Sequence, residues 1–358
     1  MANQDNLLSN YDYAIPEELI AQKPVDNRQD SRLFVIDRKT QKFYHKKFFD
    51  VVEYFSPGDC LIINNTKVVP SRLFGKKHSG GKVEILFLDP CKKNEEYKVL
   101  IKPCIGIGEK VYFEDGYECE IISKINLGES VVKFNKSKVL DLLKIYGVLP
   151  LPPYINRKGE LGQQLSDFDK QRYQTIYADI SGAIAAPTAG FHFTESILTA
   201  LNKKSVNIAK LTLHVGWGTF KPINASELNN HNMLPEKFVI DKINADIINS
   251  SITDNKRIIA VGTTSTRAIE TIAYHQTDLS KNGKDFIKEQ SGETSIFIYP
   301  GYKFKIINTL ITNLHLPKST PLMLASAFSS REIMLKAYKE AMKEKYRFFS
   351  YGDSMLIL

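Results

Sequence analysis

A row of hydroxyl side chains followed by an arginine is the feature of this sequence that most directly suggests chemistry. The stretch RIIAVGTTSTRAIETIA (residues 257–273) runs from apolar residues through Gly262 into Thr263, Thr264, Ser265, Thr266 and Arg267. One hydroxyl is enough to cap a helix that begins here. Four hydroxyls, a glycine and an arginine suited to bidentate contact therefore indicate a site for a carboxylate or phosphate at the positive end of the helix. The alternative is a threonine-rich cap with the arginine on the surface.

Two histidines lie beside small residues in a similar way. In GAIAAPTAGFHFTES (182–196), Gly190 allows close approach of a ligand, and His192 lies between two phenylalanines. In LTLHVGWGTF (211–220), His214 lies at the end of a predicted strand, before two glycines. Histidine titrates near neutral pH and transfers protons, so both residues are candidates for acid–base catalysis. For His192 the alternative is a buried core histidine.

Two stretches near the C-terminus mix polar and apolar residues. LITNLHLPKSTPLMLASAF (310–328) places Asn313 and His315 in an otherwise apolar run, where each polar group needs a partner if it is buried. YRFFSYGDSMLIL (346–358) sets an arginine and an aspartate among aromatic residues. Aromatic residues beside cations can stack on unpaired bases. A C-terminal segment docked on the protein is the alternative.

The glycine motifs of the commonest nucleotide-binding enzymes are missing. GWG at 216–218 lacks the third glycine of a dinucleotide fingerprint, and GIGEK at 106–110 leads into VYFE, which does not read as a helix. The sequence has no GxxxxGK[ST], HExxH or GxSxG motif. These absences argue against a Rossmann dehydrogenase and a Rossmann methyltransferase. The four cysteines are irregularly spaced without a CxxC pair, which argues against a structural zinc site.

The elements that must position these residues form an α/β pattern that is interrupted by short strands. From about 74 to 135, short alternating segments separated by Gly, Asn and Asp predict an antiparallel β unit. Buried strands and amphipathic helices precede and follow it. We predict a mixed α/β, barrel-like main domain built from residues 1–65 and 150–358, with an inserted antiparallel β-barrel domain at 66–149. A Pro-rich and then polar connector is predicted at 150–164.

Two helices are predicted near the ends of the chain. The Pro-led stretch IPEELIAQ (15–22) indicates one of them. The other follows a Ser329/Ser330 cap, and apolar residues recur in it at three-to-four spacing from Ile333 to Met342.

The charge of the chain favours a polyanionic partner. The 358 residues include 43% hydrophobic and 25% charged residues, which is ordinary for a globular protein, but the formal net charge is +8 and the pI is about 9.0. Residues 301–358 carry a net charge of +5 and residues 62–85 a net charge of +4. The start of the chain lacks a basic and then apolar leader, and no apolar run approaches the ~18 residues of a membrane span. We therefore predict a cytoplasmic protein without a membrane partner.

Eight stretches taken together resemble the S-adenosylmethionine:tRNA ribosyltransferase-isomerase family of queuosine biosynthesis. In chain order they are INNTKVVPSRLFG, PLPPYI with RYQTIYA, AAPTAGFHFT, TLHVGWGTF, AVGTTSTRAIE, IFIYPGYKF, LITNLHLPKST and YRFFSYGDSM. They extend from about residue 11 to the end. One departure is visible: the family usually reads close to H-x-M-H-x-E where this chain has HNMLPE (231–236), so Leu234 replaces the second histidine. Any role of that imidazole is then absent here or carried by His231 or Glu236.

The resemblance implies a specific reaction. The ribosyl part of S-adenosylmethionine is transferred to 7-aminomethyl-7-deazaguanine at the wobble position of a tRNA and isomerised, which gives epoxyqueuosine, adenine and methionine. It also implies no metal and no permanently bound cofactor, because S-adenosylmethionine is a consumed co-substrate. The expected partner is a tRNA with a GUN anticodon that carries the deazaguanine precursor. We expect a monomer or a weak homo-oligomer.

Residues are assigned to this chemistry by their type and by the family blocks in which they lie. The catalytic candidates are His192, His214 and His315, with Asp353 as a carboxylate that orients one of them. The residues expected to bind S-adenosylmethionine are Thr188, Gly190, Thr194, Gly216, Gly218, Thr219, Thr263, Thr264, Ser265 and Arg267, with Arg267 on the methionine carboxylate. The residues expected to bind tRNA are Asn64, Thr66, Lys67, Arg72, Lys318, Arg347 and Tyr351.

Two other functions remain open from the residues alone. A non-catalytic RNA-binding module would use the β insertion as a platform, as an OB-fold does. A methyltransferase on an unusual scaffold would produce S-adenosylhomocysteine instead of adenine and methionine.

Overall fold

The apolar stretch before Gly262 forms a strand in the middle of a large sheet. The structure is a computed structural model that describes residues 4–91, 95–125, 128–157, 165–275 and 286–358. Its strands are β1 (Arg32–Asp37), β2 (Lys42–Lys47), β3 (Cys60–Asn64), β4 (Thr66–Val68), β5 (Arg72–Lys76), β6 (Lys82–Phe87), β7 (Glu96–Lys102), β8 (Lys110–Tyr112), β9 (Glu118–Lys124), β10 (Glu129–Phe134), β11 (Ile180–Ala183), β12 (Asn207–Leu213), β13 (Glu236–Ile240), β14 (Ile258–Val261), β15 (Gln290–Thr294), β16 (Thr309–Asn313) and β17 (Ser354–Ile357). Its α-helices are α1 (Val139–Tyr146), α2 (Ser166–Arg172), α3 (Glu195–Lys203), α4 (Lys242–Thr253), α5 (Gly262–His275), α6 (Thr320–Phe328) and α7 (Arg331–Lys343).

The large sheet has nine strands from both parts of the chain. Their order is β15-β13-β12-β3-β14-β16-β17-β1-β2. Strands β12, β3, β14 and β16 are parallel to one another. The carboxyl ends of these four strands therefore meet at one edge of the sheet, where ligands bind in open α/β sheets.

Both faces of this sheet are buried. In β1, Phe34 and Ile36 pack into one hydrophobic cluster, whereas Leu33 and Val35 pack into the cluster on the other face. Successive side chains of a strand point to opposite faces, so a strand covered on both sides reads as a continuous apolar run. This explains why RLFVID and RIIAV lack alternation.

The predicted insertion is a closed six-stranded antiparallel barrel. Its strand order is β10-β7-β6-β5-β8-β9. Every second residue of these strands enters an apolar interior, as Val83, Ile85 and Phe87 do in β6. The predicted mixed α/β class with an inserted antiparallel barrel is confirmed. Strand β4, which the predicted division assigns to the insertion, pairs with β11 in a separate two-stranded sheet. The domain boundaries themselves remain predictions, and residues 158–164 of the predicted connector lie outside the described residues.

The two predicted terminal helices have different outcomes. Helix α7 begins after Ser330, whose hydroxyl accepts a hydrogen bond from the Ile333 N–H at 3.1 Å, so this prediction is confirmed. The helix at IPEELIAQ is wrong, because only Glu17–Leu19 form one 3₁₀ turn. The following residues are extended: the Ala21 N–H donates to the Phe348 carbonyl at 3.3 Å. A partner in the C-terminal segment outweighs the local helical pattern.

The C-terminal segment is docked in the main sheet. Strand β17 lies between β16 and β1, and all four of its residues are buried. Among the described residues, no helix combines the length and apolar character needed to cross a bilayer.

Candidate active site

A cavity lies at the carboxyl ends of β14 and β16. It contains about 720 Å³ of space not filled by protein atoms, part of it open to solvent. Its hydroxyl-bearing lining residues are Tyr154, Tyr173, Thr188, Thr219, Thr263, Thr264, Thr312, Ser319 and Ser350. None of the described residues that line it is Asp, Glu, Lys or Arg. We call it the hydroxyl cavity.

The four hydroxyls at the start of α5 divide into two pairs. The Ser265 hydroxyl donates to the Val261 carbonyl at 2.7 Å, and the Thr266 hydroxyl donates to the Gly262 carbonyl at 3.0 Å. Both side chains are fully buried. Such back-bonding to the preceding turn is common for Ser and Thr inside helices. The predicted contact of Ser265 with S-adenosylmethionine is therefore corrected, because its hydroxyl is already engaged within the helix.

The other pair, Thr263 and Thr264, lines the hydroxyl cavity. Gly262 connects the strand to the helix with a φ of +85°, a conformation that favours glycine. The first N–H groups of a helix have no partner inside it, and they carry the positive end of the helix dipole. Two hydroxyls and a helix N-terminus thus form the wall of the cavity.

Arg267 is paired inside the protein. Its Nη1 contacts the Glu236 carboxylate, and its Nε donates to the Ile296 carbonyl at 3.0 Å. Both side chains are almost fully buried. A buried charge requires such a partner. Arg267 lines a smaller pocket of about 330 Å³, which shares Thr219, Thr263 and Thr264 with the hydroxyl cavity. The predicted clamp of Arg267 on the methionine carboxylate is corrected, because Glu236 already neutralises the guanidinium.

Glu236 also organises the glycine-containing turn after β12. It accepts hydrogen bonds from the Gly216 N–H at 2.9 Å and the Thr219 hydroxyl at 3.4 Å. A Cβ atom on Gly218 would lie 3.1 Å from Leu234 Cδ1. Gly218 therefore packs against Leu234, the residue that departs from the family pattern.

His192 is held in a chain of hydrogen bonds behind the hydroxyl cavity. The Ser31 hydroxyl lies 3.1 Å from the Arg28 carbonyl, to which it donates, and 2.7 Å from His192 Nδ1. Nδ1–H is then the donor to Ser31, and Nε2 accepts from the Asn313 amide at 3.2 Å. The Asn313 Oδ1 accepts in turn from the Thr188 hydroxyl at 2.9 Å.

This chain sets the orientation of two residues of the cavity wall, Asn313 and Thr188. Burial, together with the positive charges of Arg347 and Arg28, lowers the pKa of His192 to about 3. The imidazole is neutral at pH 7 and both of its nitrogens are engaged. His192 is therefore a positioning residue, and direct proton transfer to a substrate is corrected.

His315 lines the hydroxyl cavity itself. Its Nε2 lies 2.9 Å from the Thr312 hydroxyl, and its backbone N–H donates to the Tyr338 hydroxyl at 2.9 Å. Burial lowers the pKa of His315 to about 3. The neutral imidazole can accept a proton but is not charged in the resting protein.

His214 lies at the other side of the turn, in a cleft next to the barrel. Its Nδ1 lies 2.8 Å from the Thr66 hydroxyl. Burial is the main cause of its lowered pKa, which the Asp89 carboxylate opposes. A Cβ atom on Gly182 would lie 2.6 to 2.9 Å from the imidazole ring, so only glycine leaves room for this ring position.

Three further predicted site residues have structural roles instead. Asp353 accepts from the backbone N–H groups of Arg32 and Arg347 at 2.9 and 2.8 Å, so it orients the chain and not a histidine. Thr194 caps α3 by accepting from the Ile197 N–H at 3.3 Å. Gly190 leaves room for the Tyr177 hydroxyl, which occupies the space of a Cβ atom. For all three, the predicted contact with a substrate or a catalytic histidine is corrected.

Three of the predicted tRNA contacts are buried. Asn64 binds both the N–H and the carbonyl of Leu213 at 3.0 Å, and Thr66 is fully buried beside His214. The Tyr351 hydroxyl donates to Asp169 at 2.8 Å. Direct contact of these three side chains with RNA is corrected, because their polar atoms bind the protein and are shielded from solvent.

The four cationic candidates are at least partly accessible. Lys67 is exposed. Arg72 forms a salt bridge with Glu84 at 2.9 Å, and Lys318 pairs with Asp12. Arg347 donates to the Lys23 carbonyl at 3.1 Å. Contact of these four residues with tRNA stays a prediction.

The predicted single cleft is divided into neighbouring spaces. Thr188, Thr219, Thr263, Thr264 and His315 share the hydroxyl cavity. His214 and Gly216 line the cleft next to the barrel, which shares Val215 with the hydroxyl cavity. His192 lines a third space, which shares Ser350 with the hydroxyl cavity.

Sequence reasoning missed the aromatic wall of the hydroxyl cavity. Tyr154 bonds to Ser350 at 2.6 Å between the two hydroxyl oxygens, and Tyr173 and Phe349 lie beside them. Burial raises the pKa of Tyr154 to about 12. The available signal was the pair of family blocks PLPPYI and YRFFSYGDSM, whose tyrosine and serine meet here.

Comparison with known proteins gives concordant results over nearly the whole chain. The model of a family described as "Queuosine biosynthesis protein" matches residues 8–357. An S-adenosylmethionine:tRNA ribosyltransferase-isomerase of Staphylococcus aureus is 46% identical over 356 residues, which cover 98% of this chain and 99% of the relative. One of Clostridium kluyveri is 46% identical over 355 residues with the same coverage. A crystal structure of S-adenosylmethionine tRNA ribosyltransferase from Thermotoga maritima, 33% identical, superposes with a TM-score of 0.54 over 98% of this chain and 100% of that one.

Proposed function

Because this chain belongs to the queuosine biosynthesis family, we propose that it transfers and isomerises the ribosyl part of S-adenosylmethionine onto 7-aminomethyl-7-deazaguanine at the wobble position of a tRNA. The products are epoxyqueuosine in the tRNA, adenine and methionine. S-adenosylmethionine is consumed, and no permanently bound cofactor is required. The tRNA substrate has a GUN anticodon, and the protein acts in the cytoplasm as a monomer or weak homo-oligomer.

The hydroxyl cavity is the observation that carries this proposal. Its hydroxyl groups can bind a ribose and an adenine by hydrogen bonds. Tyr154, Tyr173 and Phe349 line the cavity and suit a sulfonium cation, since aromatic rings attract cations through their negative faces. A site without charged side chains thus accommodates a positively charged nucleoside.

The methionine part of S-adenosylmethionine lies toward the start of α5. Its carboxylate binds backbone N–H groups beside Thr263 and Thr264, at the positive end of the helix dipole. The smaller pocket beyond these threonines is lined by Met233, Phe297 and Leu324, which suit an apolar methylene chain.

The reaction needs a base for a carbon-bound hydrogen of the ribosyl group. The sulfonium makes hydrogens on the neighbouring carbon acidic. His315 is the histidine that lines the hydroxyl cavity, and we assign this proton transfer to it because of that position. His192 contributes by fixing Asn313 and Thr188.

One incubation tests this function against the two alternatives. The protein is mixed with S-adenosylmethionine and tRNA that bears the deazaguanine precursor, and the small molecules are separated by chromatography. We expect equimolar adenine and methionine. Formation of S-adenosylhomocysteine would identify a methyltransferase, and tRNA binding without any product would identify a non-catalytic RNA-binding module.

A further inference from the structure

A second cavity separates the inserted barrel from the main sheet. It contains about 950 Å³ of space, part of it open to solvent. Leu88, Asp89 and Cys91 line it from the barrel side, and His214, Gly216 and Lys237 line it from the main sheet. We call it the barrel cleft. Its size is sufficient for a nucleotide.

The charges of the barrel cleft differ from those of the hydroxyl cavity. Asp89, Glu236 and Glu293 line it together with Lys237. Arg267 neutralises Glu236 from the protein interior. Two carboxylates therefore face one lysine, which favours a ligand group with positive charge.

The salt bridge across the cleft is easily exchanged. Lys237 Nζ lies 3.0 Å from Asp89 Oδ2, with 63% and 45% of the two side chains exposed. Ion pairs this exposed contribute little to stability. Asp89 can thus bind a ligand ammonium without a large loss of folding free energy.

His214 presents a neutral nitrogen in the same cleft. The Thr66 hydroxyl donates to the Ile180 carbonyl at 3.5 Å, so it accepts from His214 Nδ1–H. Nε2 then carries the lone pair, and it forms no hydrogen bond with the described part of the protein. Gly182 and Thr66 together fix the ring, so a base of defined orientation lines the cleft.

We propose that the barrel cleft receives the amine-bearing base of the tRNA, with Asp89 binding its ammonium group and His214 Nε2 accepting a proton from it. This inference rests on the proposed function. A base that undergoes chemistry is turned out of its strand into a pocket. A primary ammonium, R–NH₃⁺, gives its proton to the neutral imidazole, which leaves R–NH₂ and an imidazolium. The nitrogen lone pair is then free for bond formation.

The barrel cleft lies next to the hydroxyl cavity, so a deprotonated amine in the cleft is close to the other substrate. Val215 lines both the barrel cleft and the hydroxyl cavity. The amine can therefore approach a nucleoside bound next to α5 while the tRNA lies between the barrel and the main sheet.

Binding of two synthetic anticodon stem-loops tests the assignment without turnover. They are identical except for 7-aminomethyl-7-deazaguanine or guanine at the wobble position, and fluorescence anisotropy measures their Kd values without S-adenosylmethionine. We expect the full-length protein to prefer the amine-bearing RNA by about tenfold, the value for one charge-assisted hydrogen bond. In Asp89→Asn this preference falls to about twofold or less, while the Kd for the guanine RNA is unchanged.

Two matched variants separate the carboxylate from its surroundings. Glu120→Gln removes the same charge from an exposed position of barrel strand β9 and should keep the preference. Lys237→Met breaks the salt bridge but leaves Asp89, so it should also keep the preference. An equal effect of Asp89→Asn on both RNAs, or none on either, would overturn the assignment. The binding assay does not depend on turnover. If the wild-type protein forms adenine and methionine but Asp89→Asn keeps its preference for the amine-bearing RNA, the assignment of the barrel cleft is wrong and the proposed function stands.

Discussion

Two histidines of the site are neutral because the fold buries them. His192 and His315 have a pKa of about 3 in the native protein, against a usual value near 6.5. Between these values the unfolded chain binds more protons than the native protein. Lowering the pH through this range therefore favours unfolding.

The free energy of unfolding should fall as the pH is lowered from 7 to 5. Each histidine contributes a slope of up to about 1.4 kcal/mol per pH unit below pH 6.5. Replacement of His192 by Asn removes one of these groups, so urea unfolding of His192→Asn should show a shallower pH dependence than the wild type. His78→Gln, at an exposed position, is the matched control substitution. Identical slopes in all three proteins would show that His192 is not held neutral.

His214 should matter for turnover more than for affinity. His214→Gln removes the base in the barrel cleft, and we expect kcat to fall by about 10²- to 10⁴-fold, the usual contribution of a general base. The Kd for tRNA should change by less than about twofold, because the imidazole is neutral and makes only one of many contacts with the RNA. His78→Gln is again the matched control. Single-turnover product formation measures the change in rate, and RNA binding measures the Kd. If His214→Gln forms product as fast as the wild type, His214 is not the base.

Residue types in the sequence predicted the site only in part. Thr263, Thr264 and His315 line one cavity, and their contact with a substrate stays a prediction. Arg267 is already paired with Glu236, which is 31 positions away in sequence on β13, and only the tertiary fold brings this strand next to α5. A local pattern shows which side chains could bind an anion but not which are already neutralised.

At the scale of elements, the start of α5 combines structure and binding. Two of its hydroxyls bond to the preceding turn and two face the cavity. The sequence predicted the strand and the helix correctly, because apolar and small residues end at a glycine. It could not show which face of the helix each hydroxyl occupies, since that depends on where the cavity lies.

The two pairs of hydroxyls should respond differently to substitution. Thr263→Val removes a hydroxyl of the cavity wall, and we expect the Kd for S-adenosylmethionine to rise about two- to tenfold, as for one lost hydrogen bond. Thr266→Val removes a hydroxyl that bonds within the helix and should leave this Kd unchanged. Isothermal titration calorimetry measures the Kd of both variants and of the wild type for S-adenosylmethionine. Equal Kd values for Thr263→Val and the wild type would place the ligand away from α5.

The success and failure of the element predictions have the same cause. The barrel strands were predictable because one face is buried and the other solvated, which gives alternation. The IPEELIAQ segment was not, because its Ile20 pairs with Phe348 near the other end of the chain. Local preferences decide structure where no distant partner competes.

At the scale of the whole molecule, basic residues flank the site from two parts of the chain. Lys67 lies on β4, where the barrel joins the main part, and Lys318 lies before α6. Lys67 is exposed, whereas Lys318 already pairs with Asp12. The two lysines therefore offer different electrostatic contributions to RNA binding.

The affinity for tRNA should decrease steeply with salt. Log Kd should rise linearly with log salt concentration, with a slope of about 0.7 to 0.9 for each phosphate contact. Lys67→Gln should reduce this slope by about one contact, and Lys318→Gln by less, because Asp12 already compensates its charge. Filter binding at salt concentrations from about 50 to 200 mM, where the affinity for nucleic acid changes strongly, measures the slope. A salt-independent Kd would rule out phosphate contacts as the basis of binding.

A crystal structure of the protein with bound S-adenosylmethionine tests the central claim most directly, namely that the hydroxyl cavity is where this substrate is held. We expect the adenosine between the aromatic wall of Tyr154 and Tyr173 and the hydroxyls of Thr263 and Thr264, with the methionine carboxylate at the first N–H groups of α5. A structure in which the nucleoside is bound elsewhere and the hydroxyl cavity contains only water would contradict the claim.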